Sequence, residues 1–110
     1  MSTSRDDQRP LACDLSALDP TERAKRSALA RELYRMRVGI EDLPDGYAFR
    51  YPADSSILMK IAQFVSIERL CCPFFTFTIE VEPANTSMSL RLTGGDGVKR
   101  FIAGELGIEA

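Results

Sequence analysis

The chain contains no histidine. That absence removes the commonest acid–base side chain and the commonest transition-metal ligand, so neither a Ser-His-Asp nor a Cys-His device can be built within one chain. Cysteine is scarce, at three. An odd, small number argues against a disulfide framework and leaves the thiols free or metal-bound. No run approaches the ~18 apolar residues of a membrane helix, and the N-terminus has no apolar signal-peptide core. Together these absences predict a cytoplasmic protein. Neither sign of charge dominates: 9 basic and 9 acidic residues lie up to Pro52, then 5 basic and 7 acidic. No general affinity for nucleic acid or membrane follows.

What is present describes one small domain. The 110 residues, 45% hydrophobic and 27% charged, suffice for a single core. Residues 1–9 are polar and aperiodic and read as a mobile tail, which leaves 10–110 as the domain. Asp19-Pro20-Thr21-Glu22 has the spacing of a capping box with proline at the first helical position. It predicts a helix to about Arg37, with a narrow apolar stripe of Leu29, Leu33 and Met36, stopped by Gly39. The basic residues of this helix scatter around it, as on a solvated surface. Leu43-Pro44-Asp45-Gly46 is a turn, and Tyr47–Tyr51 alternates as a short strand with three aromatics on one face.

A second helix, capped by Asp54 or Ser55, is predicted from about Ser55 to Cys71, where Pro73 disfavours helical backbone at Cys72. Its apolar arc (Ile57, Leu58, Ile61, Phe64, Val65, Cys72) is broad enough to lie across a sheet. From Phe75 to Glu82 the alternation is nearly strict: Phe75, Phe77, Ile79 and Val81 share one face, and threonines and glutamates the other. Met88, Leu90 and Leu92 line a returning strand, and a last helix packs Val98, Phe101, Ile102 and Leu106. The expected fold is α+β, a two-layer α-β-α-β-β-α arrangement with a three-stranded antiparallel sheet and helices on one face. Three strands bury a modest core, so a homodimer that extends or covers the sheet is a candidate assembly.

Chemistry, if present, concentrates at Cys71 and Cys72. A disulfide between adjacent residues closes a strained ring, and a thioredoxin-type site wants two intervening residues and a helix N-terminus. Here the pair sits at a helix C-terminus, where the dipole disfavours an anion. Three thiolates, Cys13, Cys71 and Cys72, form a soft donor set if they converge, suited to a thiophilic metal ion or metalloid of cuprous, mercuric or arsenite-like character. Glu68 falls inside the apolar arc at ~100° per residue, on the face of the two cysteines. A carboxylate there must be paired, protonated or used. One option is an ion pair with a basic residue of the first helix; the other is a proton acceptor or fellow ligand for the thiols. Three readings stay open: a soft-metal site, core cysteines in a structural or self-associating module, and a thiol redox protein. The Gly94-Gly95-Asp96-Gly97 loop lacks the features of a phosphate loop and reads as a plain turn.

The run Glu68-Arg69-Leu70-Cys71-Cys72-Pro73-Phe74-Phe75-Thr76-Phe77 resembles a family of small, largely uncharacterised bacterial proteins. Weaker similarity covers Leu43–Tyr47, Thr93–Ile102 and a cysteine before the first helix, matched by Cys13. The resemblance implies that Cys13, Cys71 and Cys72 are corresponding cysteines. It is loosely associated with heavy-metal resistance and implies no defined activity. Gly95 and Arg100 depart from the family pattern, where proline and an acidic residue are usual.

Overall fold

The computed structural model describes residues 11–107, so the expected tail at 1–9 lies outside the described residues. The observed class is α+β. Helix α1 spans Pro20–Met36, β1 Gly39–Leu43, β2 Gly46–Tyr51, α2 Ser55–Cys71, β3 Thr76–Val81, β4 Met88–Thr93 and α3 Val98–Leu106. The strands form one antiparallel sheet in the order β1-β2-β4-β3.

The sheet therefore has four strands, not the three expected. Gly39 does not merely stop α1; it begins β1, which pairs with β2 from Gly39↔Arg50 to Leu43↔Gly46 across the Pro44-Asp45 turn. Gly-Ile-Glu-Asp-Leu carries no apolar alternation because β1 is an edge strand whose middle, Glu41 and Asp42, faces solvent. The pairing with β2 holds it instead. Gly46 is required at this hairpin, because a Cβ there would collide with the backbone of Leu92 and Thr93.

Register places Tyr47, Phe49 and Tyr51 opposite Leu92, Leu90 and Met88, and all six are buried beneath the helices. The opposite face carries half-buried ion pairs such as Arg91–Glu80 at 3.1 Å. Both helix starts work as read: Asp19 and Glu22 form the reciprocal capping box, and Asp54 accepts the Ser56 and Ile57 amides. Leu29 and Leu33 of α1 are buried, as are Ile57, Ile61, Phe64 and Ile67 of α2.

One expectation for β3 needs correction. Phe77 is half-buried, but Ile79 and Val81 are 38% and 48% exposed. They lie on the helix side of the sheet by register. β3 is the far edge strand, and the helices cover its start at Phe77 but not its later residues Ile79 and Val81.

Candidate functional site

The site forms where the lead-in segment meets the C-terminal end of α2. Asp14 accepts from the Ser16 amide and starts a 3-10 turn over Leu15–Ala17, after which Leu18 inserts into the core at 2% exposure. The Asp14 amide also donates to the Cys71 carbonyl at 2.7 Å. A helix C-terminus leaves carbonyls without intrahelical partners, so this bond satisfies one of them and pins the segment there. Cys72 leaves the helix, as Pro73 requires, while its amide still donates to the Glu68 carbonyl at 2.8 Å.

Cys13 and Cys72 are thereby brought together, with Cα atoms 4.6 Å apart, and form a disulfide. This corrects the expectation that the thiols are free or metal-bound. Spacing alone leaves open whether Cys13 reaches Cys71 and Cys72. The decisive fact was the docking of a segment 59 positions away, which no local pattern encodes.

Cys71 keeps its thiol and is fully buried. Its sulfur lies 3.6 Å from Cys72 Sγ and 3.7 Å from Glu68 Oε1. Burial, followed by the negative charge of Glu68, pushes the Cys71 thiol above its ordinary range, and nearby Arg26 offsets this only in part. It is thus a protonated, packed thiol at neutral pH rather than a ready nucleophile.

Glu68 is 4% exposed and pairs with Arg26 of α1 through both carboxylate oxygens: Nε to Oε1, and Nη2 to Oε2 at 3.2 Å. The predicted partner on the first helix is therefore Arg26. It shares a face with Leu29 and Leu33, three and seven positions on, which was the available signal. Burial works against the Arg26 charge, but the hydrogen bond and Coulomb attraction of Glu68 outweigh it and hold the guanidinium above its usual pKa. Arg69, nearest in sequence to the thiols, is exposed and joins none of these contacts.

Of the four expected site residues, Cys13, Glu68 and Cys72 have ligating atoms within 4.8 Å of one another. Cys71 touches Cys72 and Glu68 but stands outside that mutual group. In the dithiol state this group offers two soft sulfurs beside a harder carboxylate oxygen. In the disulfide state the sulfurs are committed to each other.

The site opens on a cavity that sequence reading missed. It holds about 240 Å³ between the sheet and all three helices, and Leu33, Phe49, Phe64, Leu90, Phe101 and Ile102 form apolar walls. Cys13, Arg26 and Glu68 supply its polar end, and exposed Glu105 stands at its rim. Cys13 lines the cavity, whereas Cys72 does not. Periodicity marks each wall residue as inward-facing but not whether the inward space is filled. Phe74 and Phe75 flank the site in edge-on contact with each other, and Phe74 also meets Phe101 at 5.3 Å.

Comparison with family models, curated proteins and solved structures yields no match to this chain.

Proposed function

We propose that this protein is a thiol-based binder of a soft metal ion or metalloid, with its capacity set by the redox state of Cys13 and Cys72. In the dithiol form the two sulfurs hold the ion, Cys71 is a neighbouring third sulfur, and Glu68 accepts a thiol proton or ligates from the side. Oxidation to the disulfide withdraws both principal donors. The observation that carries this reading is the mutual approach of two cysteine sulfurs and a buried carboxylate within 4.8 Å. The resemblance of the Glu68–Phe77 run to a family associated with heavy-metal resistance agrees with it.

The test is mass spectrometry of the reduced protein under native conditions with arsenite or mercuric ion. One equivalent should bind, and Cys13→Ser and Cys72→Ser should each lose it, while Cys71→Ser retains a weaker complex. Equal binding by wild type and all three variants would overturn the assignment.

The disulfide itself favours a second reading, a thiol redox protein in which Cys13, the cysteine that lines the cavity, exchanges with an external thiol. That reading predicts catalysed reduction of a disulfide substrate with no uptake of ion. The exposed Ile79 and Val81 on the edge strand β3 support a homodimer built by strand addition, and light scattering of an Ile79→Lys variant tests this.

A further inference from the structure

A bare ion does not account for the cavity beside the cysteine pair. An ion held between two sulfurs displaces about one water's volume, roughly 30 Å³, whereas an apolar cavity of about 150 Å³ admits a benzene ring. The cavity here is about 240 Å³, and its walls are aliphatic and aromatic. Its charges are arranged to leave that interior neutral. Arg26 and Glu68 are paired with each other, and Glu105 is exposed at the rim. Cys13 of the pair lines the space, and Cys72 does not. The volume, the apolar walls and the place of Cys13 in the lining have a common consequence.

We propose that the ligand is a mono-organic thiophilic species, of which an aryl-arsenic(III) compound is the fitting example. The arsenic is held by reduced Cys13 and Cys72, and the aryl group occupies the cavity. This rests on the soft-ion reading above and adds the substrate class. The disulfide is first reduced by an external dithiol, which supplies two electrons and two protons. Binding then follows R–As(OH)2 + Cys13–SH + Cys72–SH → R–As(S–Cys13)(S–Cys72) + 2 H2O. Two As–O and two S–H bonds break, two As–S and two O–H bonds form, and arsenic keeps its oxidation state. Phe49, Phe64 and Phe101 present ring surfaces to the aryl group, for which edge-to-face contact is favourable. A negatively charged substituent is disfavoured by Glu105 at the rim.

The experiment uses the reduced full chain with phenylarsonous and methylarsonous acids, each competed against dithiothreitol. Both compounds need two thiols, so they differ only in the organic group. Burial of a ring in apolar surroundings predicts that the protein prefers phenyl over methyl by about tenfold or more beyond the preference of dithiothreitol. Ala30→Leu and Leu106→Trp, which narrow the cavity from two different helices, should each pull that ratio down towards the value for dithiothreitol. Binding of the methyl compound reports whether the thiols remain competent in each variant. A wild-type ratio equal to that of dithiothreitol, with the methyl compound bound, overturns this inference and leaves the soft-ion reading standing. A phenyl preference that survives both narrowing substitutions also overturns it. Binding of neither compound removes both readings.

Discussion

Reducing the Cys13–Cys72 bond should cost much of the stability of the oxidised fold. The cross-link joins positions 59 apart, and the chain-entropy relation for a loop of that length gives about 4 kcal/mol. Native contacts argue that this entropy is most of the effect. Leu18 remains inserted in the core, and the Asp14–Cys71 backbone bond at 2.7 Å does not depend on the sulfurs. The lead-in segment thus stays docked when reduced, and the change falls on the unfolded chain. The assay is urea unfolding of a Cys71→Ala variant, oxidised and reduced. That background is needed because Cys71 Sγ, 3.6 Å from Cys72 Sγ, could otherwise exchange with the bond during unfolding. With a slope near 2 kcal/mol/M, the midpoint should fall by roughly 2 M on reduction. A difference below about 0.5 kcal/mol would refute the reasoning, since even modest natural disulfides contribute more.

Three further predictions follow from single groups. Arg26→Leu leaves Glu68 buried without its cation and should cost about 3 kcal/mol, at the lower end for a broken buried pair because Arg26 retains some exposure; Arg26→Leu with Glu68→Leu should recover most of that loss in a thermal or urea melt. The Tyr47 hydroxyl is buried and finds no hydrogen-bond partner among the described residues, so Tyr47→Phe should leave stability unchanged or raise it by about 1 kcal/mol, and a comparable loss would contradict the placement. Burial pushes the Tyr51 phenol up to about 12, against a partial opposing pull from Arg37. Tyr51 ionises more easily in the unfolded chain, so it stabilises the fold fully below pH ~10. That contribution, about 2–3 kcal/mol, is lost as pH rises through the folded value; a Tyr51→Phe variant should lack this step in alkaline unfolding curves.

Much of the fold was legible because its signals are local. The Asp19–Glu22 capping box, the Asp54 cap, the aromatic alternation of Tyr47–Tyr51 and the proline after Cys72 each act within a few residues, and each appears where expected. β1 was illegible because an edge strand with Glu41 and Asp42 exposed needs no apolar pattern, and its evidence lies in its partner. The alternation of β3 was read correctly as a strand, but the burial of Ile79 and Val81 depended on how far the helices extend over the sheet. At the site, Glu68 could be singled out from its place on the apolar arc, and an ion pair with a basic residue of the first helix was one of its two options. The Cys13–Cys72 bond and the cavity did not follow. Both depend on how segments distant in sequence dock, and the sequence pattern near each residue is the same whether they meet or not.

The central claim is that Cys13 and Cys72, once reduced, share one thiophilic ligand. The most direct measurement is the alkylation rate of Cys13 in the reduced native protein, read by mass spectrometry with and without one equivalent of arsenite. Cys13 lines the cavity and should label without unfolding. The account predicts that one equivalent suppresses this labelling, and that Cys72→Ser abolishes the protection. Labelling of Cys13 at the same rate with and without excess arsenite would contradict it.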